Sequence, residues 1–123
     1  MKRFFCISIF LAMTILHSAT AQPHATKIRH SVVFTLKHEK GSVQEKGFFA
    51  ALDKLTAIPG VENFRYMKQI SKKNSFDYIL TMDFSNQKTY DYYNQHPDHV
   101  AFVQNVWLKE VKDFMEIDYE IAD

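Results

Sequence analysis

The stretch VENFRYMKQISKKNSFDYILTMDF, Val61–Phe84, holds two strand-like runs with only a polar loop between them. In its second half Phe76, Tyr78, Leu80, Met82 and Phe84 recur at period two, the spacing that puts alternate side chains on one face of a strand. VENFRYMKQI (61–70) reads as the strand before it and KKNS (72–75) as a hairpin-type loop. A hairpin therefore stands in the middle of the chain, and what flanks it decides the fold.

Upstream lies SVQEKGFFAALDKLTAI (42–58). Ser42 with Glu45 has the form of a capping box, and Phe48, Ala51, Leu52 and Leu55 form the apolar stripe of a helix. Pro59 cannot continue that helix and Gly60 permits the turn out of it. Before it, KIRHSVVFTL (27–36) is a strand with Ile28, His30, Val32, Phe34 and Leu36 on one face. Downstream, Ser85 or Asn86 caps a short helix, QKTYDYYN (87–94). A second helical piece, PDHVAFVQNVWLKE (97–110), starts at Pro97, a favoured first helical position. VKDFMEIDYE (111–120) is a fourth strand, mixed on both faces. The order β-α-β-β-α-β predicts an α+β, ferredoxin-like domain: one antiparallel sheet with both helical segments on one side.

The other face of that sheet needs water or a partner. Val33, Phe64, Tyr66, Ile79 and Phe114 read onto strand faces opposite to the most apolar ones. A small one-layer domain with apolar groups on both sheet faces is expected to close over a second copy of itself, as a homodimer joined through the sheets.

The N-terminus predicts export. Lys2 and Arg3 precede an apolar run, Phe4–Leu16, and Ala19-Thr20-Ala21 has the small-x-small form cleaved before Gln22. About 13 apolar residues are too few for a helix across ~30 Å of hydrocarbon. Residues 1–21 are thus read as a signal peptide, 22–26 as a flexible leader and 27–123 as the domain. The expected location is periplasmic or extracellular, with no membrane attachment after cleavage. Lys2 and Arg3 leave with the signal, so 13 basic residues face 14 acidic ones, which is not the balance of a nucleic-acid-binding protein. The sole cysteine, Cys6, leaves too, and no disulfide can stabilise the mature chain.

Four segments, IRHSVVFTLK, LTAIPGVENF, FDYILTMDFSN and YYNQHPDHVAFV, resemble the stress-responsive α/β-barrel (Dabb) domain family over about residues 27–120. The IPGV loop and the HPDH turn are the most specific of these. The resemblance implies a ferredoxin-like protomer that dimerises through its sheets into a dimeric α+β barrel. It also implies site residues. A plant member of the family closes a linear polyketide by an aldol step, using a tyrosine and a histidine. The pattern Tyr-x-x-His-Pro-x-His places the matching residues at Tyr93 and His99, and a further pocket histidine matches His30.

The residues alone leave several roles open. His99 lies in the first turn of its helix, with Val103 and Val106 on the same stripe, so it faces inward as His30 does on the first strand. Burial and the positive end of a helix dipole both favour a neutral ring, which beside a tyrosine hydroxyl is a workable base. A core histidine bonded to a tyrosine or a carbonyl is the plainer alternative. Pro97 pushes His96 out of the α region and makes it an N-cap candidate as well as a ligand-binding one. His30, His96, Tyr90, Phe102 and Trp107 complete the set expected around a bound molecule, with core packing as the alternative for the aromatics. His96 and His99 offer two metal ligands where a structural zinc site takes four, so no metal is expected. No glycine-rich phosphate loop or Ser or Cys nucleophile signature appears, and no cofactor is expected. The reading is a binder of a small apolar or aromatic molecule. The alternatives are a cyclase- or isomerase-like enzyme using His99 and Tyr93, and a stress-protective dimer without a ligand.

Overall fold

The computed structural model describes residues 25–122; the expected signal peptide and most of the leader lie outside them. Ten residues of KIRHSVVFTL form β1 (Lys27–Leu36). Helix α1 (Val43–Asp53) follows, extended by a 3-10 turn (Lys54–Ala57). The hairpin is β2 (Glu62–Lys68) and β3 (Tyr78–Phe84). Next come α2 (Gln87–Gln95) and α3 (Pro97–Phe102). A π-helical turn (Val103–Trp107) leads into a last short helix, α4 (Leu108–Glu110), and then β4 (Val111–Ile121). The sheet order is β2-β3-β1-β4, with every neighbouring pair antiparallel. This is the ferredoxin-like plan.

The caps follow the sequence. Ser42 Oγ accepts from the Glu45 N–H at 3.1 Å, but the reciprocal bond is made by Gly41 N–H to Glu45 Oε1 rather than by Ser42 N–H. The second carboxylate oxygen of Glu45 accepts from the Tyr78 hydroxyl at 2.8 Å, tying α1 to β3. Burial, and then this bond, push the Tyr78 phenol up to about 12. Asn86 caps α2 through Thr89 N–H, and His96 caps α3 through Asp98 N–H.

The core lies between the helices and one sheet face. Val32, Phe34, Leu80, Met82 and Phe84 pack against Phe48, Leu52, Leu55, Phe102 and Trp107. Phe34 anchors an aromatic cluster, with ring centroids 5.2 Å from Trp107, 5.5 Å from Tyr78 and 5.8 Å from Phe48.

The second sheet face differs from the expectation. Val33 and Ile79 lie on it, paired directly across β1 and β3. Phe64, Tyr66 and Phe114 do not. Tyr66 stacks on Phe49 of α1 at 4.6 Å, Phe64 packs against the core, and Phe114 sits opposite Phe34 with its ring 5.5 Å from Trp107. The cause is the same in both edge strands. On β4, Thr35 pairs with Asp113 but Leu36 pairs with Val111, so Lys112 is an extra residue. On β2, Glu62 pairs with Asp83 and Arg65 with Thr81, again one residue in excess, with Asn63 at φ +50°. Each bulge shifts the alternation by one and exchanges the faces beyond it.

The outer face of the sheet therefore carries Met67, Ile79, Val33 and Met115 in one row across all four strands. Met67, Met115, Ile117 and Tyr119 are 45–48% exposed. Beside this row Arg29 grips Asp83 with two bonds, Nε at 2.6 Å and Nη2 at 2.8 Å, while Asn63 Nδ2 adds a third at 2.9 Å. The Arg29 guanidinium foremost, with Asn63 helping, holds the Asp83 carboxyl below its ordinary range.

Candidate functional site

Between α2, α3, the π-helical turn and the inner sheet face is a cavity of about 220 Å3. Val32, Leu55, Leu80, Phe102, Trp107 and Phe114 give it apolar walls. Its polar groups are His30 from β1, Tyr93 from α2, His99 from α3 and Glu116 from β4. The π-helical turn puts Val103 and Trp107, with Leu108 just beyond, on the same wall. Single π turns inside helices are frequent at functional sites.

His99 and Tyr93 form one side. Tyr93 is fully buried in the helix–sheet interface, and its ring lies 4.3 Å from the His99 ring at 35°. His99 Nδ1 is 3.1 Å from the Asn94 carbonyl oxygen. A carbonyl only accepts, so Nδ1 carries the hydrogen and Nε2 of the neutral ring is left as an acceptor. Burial pulls the His99 imidazole below its ordinary range, outweighing the opposite pull of that carbonyl, and keeps it unprotonated at neutral pH. The Tyr93 phenol is pushed well up by burial, with Tyr90 and Glu116 adding to it. Its hydroxyl thus stays a donor.

His30 forms the other side. Its Nδ1 lies 2.6 Å from Asp118 Oδ1, and the Tyr90 hydroxyl donates to Asp118 Oδ2 at 2.8 Å. The carboxylate holds the His30 ring by its Nδ1, so Nε2 points away from it. Tyr90 stands 3.2 Å from the same Nδ1 and closes the triangle. Burial first, and then Asp118, push the Tyr90 phenol well up. Among the described residues, neither imidazole Nε2 nor the Tyr93 hydroxyl has a protein partner, yet none of the three is sealed from the cavity.

Of the residues singled out from sequence, His99, Tyr93, His30, Phe102 and Trp107 line this cavity. Tyr90 stands behind His30 through Asp118 and is not part of the wall. His96 is not there either. It caps α3 and meets Tyr92 edge-on at 5.5 Å, because the cap needs its ring at the helix entry. Sequence reasoning missed Phe114, Glu116 and Asp118. Their period-two spacing was visible, but Met115, Ile117 and Tyr119 form the more apolar set, and only the bulge at Lys112 turns the acidic set inward. Among the described residues no group of three or more His, Cys, Asp or Glu is placed to hold a metal ion.

Residues 28–121 match the Stress responsive A/B Barrel Domain, Dabb. The chain belongs to the Dabb family. A Dabb family protein with a ferredoxin-like fold from Mesorhizobium loti is 47% identical, with a TM-score of 0.77 over 80% of this chain and 99% of that one. A dimeric ferredoxin-like protein of unknown function from Thermobifida fusca is 22% identical, with a TM-score of 0.66 over 79% and 92% of the two chains. Hydroxynitrile lyase from Passiflora edulis is 15% identical, with a TM-score of 0.71 over 82% and 97%. The last two likenesses are likenesses of fold. A comparison with curated proteins gives no match.

Proposed function

We propose that this Dabb-domain protein is exported and works as a homodimer that binds a small apolar or aromatic molecule between helices and sheet. One observation carries the binding reading. An apolar cavity of about 220 Å3 is reached by three polar atoms that have no partner among the described residues, His30 Nε2, His99 Nε2 and the Tyr93 hydroxyl. Residues that only filled a core would satisfy these atoms among themselves. A dry cavity of about 150 Å3 takes benzene, so the space suits a single-ring molecule. The exposed row on the outer sheet face, and the dimeric description of structural neighbours from Thermobifida fusca and Bacteroides fragilis, support the homodimer. The signal-like N-terminus supports export.

The test is mass spectrometry of small molecules extracted from protein purified from its own host compartment. The expected result is one single-ring compound at near-stoichiometric amount, lost in Val103→Phe, which fills the cavity. Recovery of no compound, with no binding of aromatic probes, overturns the reading.

A second reading, catalysis, is favoured by the His99 tautomer. With Nδ1–H fixed on Asn94, Nε2 is placed to remove a proton next to a carbonyl, while Tyr93 donates to the developing enolate oxygen. His99→Asn and Tyr93→Phe separate the two readings: turnover lost with binding retained supports chemistry.

A further inference from the structure

We propose that the cavity selects neutral single-ring compounds with hydroxyl donors, of the phenol or catechol class, over carboxylated and donor-free analogues. The inference rests on the binding reading above and names its ligand class. Its basis is the balance of donors and acceptors in the wall. His99 gives its Nδ1–H to the Asn94 carbonyl, so its neutral ring offers Nε2 as an acceptor, and His30 turns Nδ1 to Asp118 and Nε2 away from it. Glu116, opposite Val32 on the inner face, adds a carboxylate, which also only accepts. Among the lining side chains the donors are the Tyr93 hydroxyl and the Trp107 indole N–H. No lysine or arginine is among them.

A ligand that brings a donor meets His99 Nε2 and Glu116; one that brings only acceptors can receive from Tyr93 but leaves His99 Nε2 unpaired. A ring carboxylate would enter beside Glu116 with no cation in the wall to offset it, in surroundings of low dielectric. A ring without polar groups would cover the two imidazole nitrogens and leave them unpaired. An ammonium group brings donors as well. But His99 Nε2 belongs to a neutral ring, whereas Glu116 stands at the exposed edge. The inner end of the cavity therefore matches an uncharged hydroxyl better than a cation. A phenol hydroxyl can give its hydrogen to one Nε2 and receive the Tyr93 hydrogen on its oxygen.

The experiment is calorimetric titration of the mature protein with phenol, catechol, toluene, anisole, benzoate and benzylammonium. Fluorescence of Trp107, the only tryptophan, is followed in parallel because it lines the cavity. Phenol and catechol are expected to bind about tenfold tighter than toluene, anisole or benzoate. His99→Leu should cut the phenol-to-toluene affinity ratio about tenfold, and Glu116→Gln, at an exposed position, should improve benzoate selectively. Equal binding of toluene and phenol overturns the donor preference and leaves the aromatic cavity standing. Preference for benzoate or benzylammonium overturns the neutral class. Failure of all six probes, with Trp107 fluorescence unchanged, overturns the binding reading itself.

Discussion

Gly60 is held at φ +94°, and a Cβ built on it would come 2.2 Å from Thr89 Cγ2. Thr89 is not free to retreat, because its N–H and hydroxyl both bond Asn86 Oδ1 at the start of α2. The IPG turn and the α2 cap are thus one joint. Gly60→Ala combines a left-handed backbone with a clash, and is expected to cost about 1–3 kcal/mol. Urea unfolding monitored by circular dichroism measures it; a loss under about 0.5 kcal/mol would mean the joint relaxes freely. At this scale much was legible from sequence. The turn at Gly60, the Ser42 cap, a cap at Ser85 or Asn86 and the candidate cap at His96 are readable in the sequence because those roles depend on neighbours three or four residues away. The inward sides of His30 and His99 are readable because their alternation or stripe is local too. The tautomer of each ring was not legible. It depends on Asn94 for one and on Asp118, 88 residues distant in sequence, for the other.

At the scale of the element, one residue of β4 decides the site. Val111 faces the core and Phe114 does too, three positions on, because Lys112 is unpaired. The same event at Asn63 turns Phe64 and Tyr66 toward α1. Deleting Lys112 is expected to remove the bulge while Asp113 stays opposite Thr35 and Phe114 opposite Phe34. Phe114, Glu116 and Asp118 would then keep facing the helices, and Met115, Ile117 and Tyr119 would keep facing away. The folded variant should retain aromatic-probe binding in a Trp107 fluorescence titration and an unchanged oligomeric state in sedimentation. Loss of both properties would show that the strand slips by one residue instead of closing the bulge. Period-two reading assigns a face to a whole strand, so it fails wherever a single residue is inserted. Bulges concentrate in edge strands, and β2 and β4 are the edges here.

For the whole molecule, the row Met67–Ile79–Val33–Met115 spans the sheet from edge to edge. In the homodimer proposed above, this row is the surface through which two copies meet. Met115→Asp puts a charge on that row and leaves the cavity side untouched. It is expected to shift sedimentation from dimer to monomer at micromolar concentration while far-UV circular dichroism is kept. A variant that still sediments as a dimer would move the interface elsewhere. The Arg29–Asp83–Asn63 cluster beside the row is satisfied within the protomer.

The sequence by itself determined the order of elements, the caps, the helix-facing sides of β1 and β3, and the family, since each rests on local periodicity or on short contiguous motifs. Tertiary structure alone decided which faces of the two edge strands look inward, and with them the acidic half of the site. A bulge is a mismatch in count between two paired strands, and neither strand's own pattern records the count of the other.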